Sequence, residues 1–278
     1  MNRAALEAVA GIGALSVMDA IIKGLAAVYP TFELAFLRYL FGSAVIVAVL
    51  LWARPGWPSW ETLRVNGLRA ILVVITATSF FYALGVLPLA EALALSFLSP
   101  IFLAVFASMF LREEIDRRVV GALLAGFLGM AVIVGGRLDG VGGSLWGVAA
   151  VLLSTVTYAL SMVLLRARAQ RDPVVTIVAI QNVGPGLILA GPAALVWTPA
   201  PWADWGVFAV VGTLGVAGHL LLARAFAKAE AARLAPLEYT ALVWAILLGL
   251  VFFGEVPTLA TLAGAALIVL GAVVASRR

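Results

Sequence analysis

The amino-acid sequence predicts an all-α membrane protein: ten transmembrane helices, arranged as two inverted five-helix repeats around a central cavity. Three observations predict it. Of 278 residues, 64% are hydrophobic and 12% charged, whereas a soluble domain carries roughly 25% charged residues to meet water. Apolar stretches recur that are long enough to cross a bilayer, which takes roughly 20 helical residues. Basic residues fall on alternate sides of those stretches. The mean hydropathy of +1.13 agrees.

Splitting the chain at charge clusters, prolines and glycines places the spans at 4–28, 31–52, 67–86, 89–111, 118–136, 142–165, 174–197, 204–226, 232–253 and 257–275. Backbone in hydrocarbon must satisfy its own hydrogen bonds, so each stretch is expected to be helical. The first has no small-residue cleavage site behind it and reads as a retained helix, not a signal peptide. Thr76, Thr78 and Ser79 weaken the third. Pro185 and Pro192 are expected to break the seventh, since proline removes a helical donor. Trp52, Trp57, Trp60, Trp197, Trp202 and Trp205 fall at span ends, where an indole suits the headgroup layer.

Loop charge orients the chain. With the N-terminus inside, the inner segments hold Arg3; Arg54, Arg64, Arg69; Arg112, Arg117, Arg118; Arg166, Arg168, Arg171; Arg224, Lys228, Arg233; and Arg277, Arg278. That is fifteen of eighteen basic residues. The outer loops hold Lys23 and Arg137, and Arg38 lies within the second span. The positive-inside rule then puts both termini in the cytoplasm.

The chain echoes itself. Ala90-Glu91-Ala92 opens an apolar run that ends at Glu113-Glu114, and Ala229-Glu230-Ala231 opens another that ends at Gly254-Glu255. A glycine-bearing span follows each, with Gly121, Gly126 and Gly129 in one and Gly264 and Gly271 in the other. The expected halves are 1–138 and 139–278. Five spans is an odd number, so the halves must point in opposite directions. Secondary transporters often use that plan, with the solute site near the midplane.

Pro88-Leu89-Ala90-Glu91-Ala92 through Leu98-Ser99-Pro100, closed by Leu111-Arg112-Glu113-Glu114, is the first half of a family pattern. Ala235-Pro236-Leu237-Glu238-Tyr239-Thr240, closed by Phe253-Gly254-Glu255-Val256-Pro257, matches its second half. Over essentially its whole length the chain resembles the drug/metabolite transporter superfamily, of the ten-helix EamA type. It is most similar to bacterial exporters of amino acids, aromatic ones included. The resemblance implies a basket of helices whose cavity opens alternately to each side. Relatives that carry S-adenosylmethionine, nucleotide sugars or drugs, and lipid-handling membrane proteins, are the alternatives it leaves.

Polar groups inside spans are costly and mark candidate sites. Asp19 and Lys23, four apart on the first helix, and Glu33 and Arg38 on the second, are expected to form an outer ion-pair network. Pro100 and Pro236 are candidate gating positions, where a kink is expected. His219, in the eighth span, is either a proton-coupling group or a neutral ring tied to a backbone carbonyl. Glu238, about one turn into the ninth span, is either placed to meet an amino group or snorkels to the cytoplasmic surface. Tyr82, Tyr158, Tyr239 and Trp244 offer flat faces with a polar handle for an aromatic solute. Ser79, Ser99, Gln181 and Asn182 complete the expected solute-binding set. Gly212, Gly215 and Gly218 read as close helix contacts.

Composition also narrows the class. There is no cysteine and one histidine, which argues against a thiolate or metal-hydrolase centre, so neither a metal nor another cofactor is expected. No G-x-x-x-x-G-K-[ST] motif supports ATP-driven transport. A net charge of +4 without a basic run argues against nucleic acid. The expected partners are a small-molecule substrate and the lipid bilayer, with a monomer sufficient. The expected function is a non-enzymatic one: export of amino acids and related small metabolites.

Overall fold

The structure, a computed structural model, describes residues 3–26, 28–86, 95–135, 145–253 and 259–276. Among these residues every regular element is helical: α1 (Arg3–Leu25), α2 (Thr31–Ala53), α3 (Trp60–Val86), α4 (Ser99–Leu111), α5 (Arg117–Gly135), α6 (Leu145–Ala169), α7 (Val174–Leu195), α8 (Trp202–Lys228), α9 (Ala231–Leu234), a 3-10 segment (Ala235–Tyr239), α10 (Thr240–Phe253) and α11 (Leu259–Ser276). Each expected span overlaps a described helix; 89–94 of the fourth, 136 of the fifth, 142–144 of the sixth and 257–258 of the tenth lie outside the described residues. Seven stretches are long and apolar enough to cross a membrane, the last running from Ala231 to Leu248. Ser99–Leu111 and Leu262–Gly271 are shorter apolar helices. The chain is a multi-pass membrane protein.

Local chemistry explains how polar residues sit inside these helices. Thr76, Thr78, Thr155, Thr157 and Asn182 each donate to the carbonyl four residues earlier. The side chain thus satisfies itself on its own helix, at little cost in hydrocarbon. Pro30, Pro173 and Pro201 stand immediately before α2, α7 and α8. Arg54 and Arg112 end α2 and α4 in the left-handed region (φ 44° and 56°), their N–H groups turning back to Leu50 and Ala107.

Three sequence expectations need correction. Pro185 and Pro192 do not break the seventh span, because α7 runs through both. The third span begins at Trp60, not residue 67, since the Ser59 hydroxyl caps the Thr62 N–H at 3.1 Å. Arg64 and Arg69 are therefore helical, and Arg69 is fully buried instead of lying in a loop. Arg166 and Arg168 likewise belong to α6, where both are buried.

The packing has a two-fold logic. α1 lies against α8, and α6 against α3; α2 lies against α7, and α5 against α11. α2 also packs on α8, as α7 does on α3. Exchange each helix for its counterpart five spans away, and these extensive pairs map onto one another. Glycine permits the closest approaches. A Cβ on Gly11 would sit 2.9 Å from the Gly218 carbonyl, and one on Gly218 would sit 3.0 Å from that of Gly11. Gly212 meets the Gly42 backbone at 2.6 Å, and Gly215 meets Met18 Sδ at 3.2 Å in the same sense. The glycines of α8 are the close helix contacts the sequence suggested.

Charged ties gather at one end of the bundle. Arg166 Nε donates to Glu113 at 2.9 Å, Arg168 bridges Glu61 and Asp172 at 2.6 Å each, and Lys228 pairs with Glu7 at 2.5 Å. At the other end Tyr29 donates to Asp204 at 2.5 Å, and the Thr198 N–H donates to Glu33 at 2.8 Å.

Candidate functional site

Within the bundle lies a cavity of about 300 Å³. Its walls come from Asp19 and Met18 of α1, Arg38 and Tyr39 of α2, Phe80 and Phe81 of α3, Tyr158 and Ser161 of α6, Gln181 of α7, and His219 of α8. The segment before α4 adds Phe97 and Ser99, and the 3-10 segment adds Glu238. Arg38 and Gln181 hold matching positions, each the eighth residue after the proline that precedes its helix, Pro30 and Pro173.

Glu238 reaches the cavity because its span is interrupted. α9 gives way to the 3-10 segment Ala235–Tyr239 before α10 resumes, with Pro236 in its first turn. The Glu238 carboxylate accepts hydrogen bonds from the Tyr158 hydroxyl at 3.0 Å and the Ser99 hydroxyl at 3.3 Å. Ser99 itself opens α4, with Pro100 next to it, so the fourth span is also interrupted here and Pro100 marks a helix start, not a mid-helix kink. Both donors are neutral. The carboxylate thus faces the cavity without a cation bound to it among the described residues.

The cationic side is built differently. Arg38 stacks over the Tyr39 ring at 4.5 Å, and its Nε lies 3.1 Å from Met18 Sδ. A guanidinium can rest on aromatic and thioether surface while its remaining donors stay free for an anion. His219 Nδ1 lies 2.7 Å from the Gly215 carbonyl, the backbone tie that the sequence offered as one of two readings. In that tautomer Nδ1–H donates, leaving Nε2 as an acceptor.

Seven of the sequence-derived candidates meet at this cavity: Asp19, Arg38, Ser99, Tyr158, Gln181, His219 and Glu238. Others are elsewhere. Ser79 and Tyr82 line a separate open groove of about 420 Å³ with Trp146 and Leu153. Asn182 is turned to its own helix and packs against Gly42. Tyr239 is buried and stacked on Phe97, ring centroids 5.9 Å apart. Trp244 lies against Gly13 and donates to the Val9 carbonyl at 3.2 Å.

The expected four-member ion-pair network needs correction. Among the described residues no ion pair joins Glu33 to Arg38. Five residues of helix separate them by about 140° around the axis, so they face different ways. Glu33 instead caps the Thr198 backbone. The Lys23 side chain lies outside the described residues.

Sequence reasoning missed Arg69, which donates from Nε to the Ser161 carbonyl at 3.1 Å and from Nη2 to Gln181 Oε1 at 2.5 Å. The capping signal was present in Ser59-Trp60-Glu61-Thr62. A helix begun there carries Arg69 into the bundle. The wall aromatics Tyr39, Phe80, Phe81 and Phe97 were also missed.

Comparison with known proteins bears directly on this geometry. The sequence pattern of the EamA-like transporter family matches twice, over residues 4–135 and again over 145–277. The chain belongs to the EamA-like transporter family. This transporter is 33% identical over 273 residues to the pseudopaline exporter CntI of Pseudomonas aeruginosa (strain UCBPP-PA14), covering 94% of this chain and 92% of that one. It is 26% identical to the S-adenosylmethionine uptake transporter of Rickettsia conorii, covering 97% and 93% of the two chains. Against the riboflavin transporter of Rhizobium johnstonii it is 27% identical, with coverage of 86% and 79%. A solved crystal structure shares the fold at a TM-score of 0.79 and 24% identity, over 98% of this chain and 95% of that one. The family is one of small-molecule transporters.

Proposed function

We propose that this transporter exports amino acids, aromatic and other apolar ones above all, and related amphoteric metabolites across the bacterial inner membrane. One observation carries the reading. A single cavity presents a guanidinium, Arg38, and a carboxylate, Glu238, with aromatic surface from Phe80, Phe81 and Phe97 around them. Neither charge is held in an ion pair among the described residues. An amphoteric solute brings a carboxylate to one and an ammonium to the other, and its side chain covers the aromatic wall. The volume of about 300 Å³ is at the small end of ligand pockets, which run roughly 300–1,000 Å³, and suits a compact solute.

Alternating access between the two halves, 1–138 and 139–278, supplies the mechanism. Packing that survives the exchange of halves supports two mirror conformations related by the same exchange. The basic end of the bundle is the cytoplasmic one by the positive-inside rule. Ion pairs tie helices of the two halves at that end. Outward movement follows the relative named as a pseudopaline exporter.

The test is counterflow in liposomes with labelled phenylalanine, tryptophan, glycine, S-adenosylmethionine and riboflavin. Saturable exchange of phenylalanine and tryptophan is expected. Arg38→Gln and Glu238→Gln should each lower it about tenfold or more, the loss of a charge-assisted hydrogen bond worth about 1.5–3 kcal/mol. Exchange of riboflavin alone, or of no amino acid, overturns the reading.

A further inference from the structure

Arg69 is an anomaly in this bundle. It is fully buried. No carboxylate pairs with it among the described residues. Its Nε and Nη2 are taken by neutral oxygens of Ser161 and Gln181, and Nη1 has no partner at all. The Ser161 hydroxyl, beside it, is also buried and unpartnered. A buried charge is costly unless a counter-charge meets it, and a group that only ties helices together needs no charge. Ser161 and Gln181, the two residues that hold Arg69, both line the cavity. Arg69 is thus one hydrogen bond removed from two residues of the cavity wall.

The geometry points to Arg69 as a second carboxylate-binding position, at which the solute's carboxylate displaces the Gln181 amide from the guanidinium. Gln181 Oε1 sits 2.5 Å from Nη2, where one oxygen of a bidentate carboxylate would lie. The idle Nη1 is the second donor of that fork, and the Ser161 hydroxyl a third. Gln181 holds in α7 the place that Arg38 holds in α2. Exchange of the halves therefore relates the two regions: Arg38 faces the cavity now, and Arg69 is the guanidinium of the opposite half of the path. A solute carboxylate has a cation on each side of the midplane.

This inference rests on the amphoteric-solute reading for the identity of the solute, and on Arg69 alone for the site. Phenylalanine and phenylalaninamide, which lacks the carboxylate, are compared in counterflow with wild type, Arg69→Gln, Arg69→Lys and Gln181→Ala. Arg69→Gln should raise KM for phenylalanine about tenfold and change phenylalaninamide less than about twofold, as loss of one charged contact requires. Arg69→Lys should fall between. An equal loss for both solutes, or none, overturns the assignment. If wild type moves neither compound, the amphoteric reading fails and the site is read by melting the purified chain with sodium benzoate or benzamide. Benzoate should stabilise wild type, stabilise Gln181→Ala more, and leave Arg69→Gln unshifted. A benzoate shift as large in Arg69→Gln as in wild type overturns the assignment. Should Arg69→Gln fail to fold, Arg69→Lys and Gln181→Ala decide: benzoate shifts in them identical to wild type also overturn it.

Discussion

Glu113 and Arg166 form a buried pair that ties the loop after α4 to three helices. Its Oε1 accepts from Arg166 Nε at 2.9 Å, and its Oε2 from the Ala232 N–H at 3.0 Å. Arg166 Nη1 in turn donates to the Phe226 carbonyl at 2.6 Å. The loop after α4 is thereby tied to the last turns of α6 and α8 and to the start of α9.

Removing one partner of such a pair leaves a buried charge alone. Glu113→Ala is expected to cost about 3–5 kcal/mol, whereas joint replacement of Glu113 and Arg166 by leucine and methionine should recover most of it. Thermal unfolding in detergent of the two singles and the double measures this. Singles that together add up to the double would show that the residues act independently.

Gly129 of α5 faces α11 at backbone distance. A Cβ there would lie 2.6 Å from the Gly264 carbonyl and 2.8 Å from Ile268 Cγ1. The backbone cannot yield as a flexible side chain would, so Gly129→Val should destabilise by about 1–3 kcal/mol, within the overpacking range. Gly121→Val is the control, since nothing lies within 4 Å of its Cβ. Equal melting temperatures for the two variants would contradict the described packing.

Trp244 tests the distinction between wall and scaffold. Its indole donates to the Val9 carbonyl of α1. Trp244→Phe should lower stability by about 1 kcal/mol, the usual worth of one hydrogen bond, and leave KM for aromatic solutes unchanged. A selective rise in KM for tryptophan over glycine would return Trp244 to the cavity.

Tyr29, in the turn between α1 and α2, donates to Asp204 at 2.5 Å. That bond holds the phenol above its ordinary range, pushed up to about 12. A folded-state value above the unfolded one stabilises the protonated side. The contribution is complete below about pH 10, the free tyrosine value, and fades as pH rises through about 12. Tyr29→Phe should cost about 1–3 kcal/mol at neutral pH, as expected for a bond to a charged acceptor. The variant should also melt with less alkaline dependence than wild type between about pH 10 and pH 12. Parallel pH curves would remove the bond from the account.

The spans were legible because crossing hydrocarbon demands length and apolarity, and both are linear properties of a sequence. Which face of a helix meets the cavity is not linear. On α3 the wall residues are Val73, Thr76, Ala77, Phe80 and Phe81, spaced three and four apart, as one helical face requires. Ser79 and Tyr82 share the polarity that drew them into the candidate set, yet fall on another face. One anchor such as Thr76 would have sorted them, but the sequence does not say which residue is the anchor. Arg69 was hidden for a different reason: counting basic residues assigns any arginine near a span end to the loop. Glu238, Tyr158 and Ser99 were legible singly; their hydrogen bonds join positions 139 and 80 residues apart, and no local pattern records them.

The matching positions of Arg38 and Gln181 have a consequence for why the two halves share one polypeptide. A homodimer of five-helix subunits would carry the same side chain at both positions, setting guanidinium against guanidinium. Covalent fusion releases each copy to hold its own residue, and a lopsided distribution of charge, which no symmetric assembly can sustain, becomes available to the chamber between them.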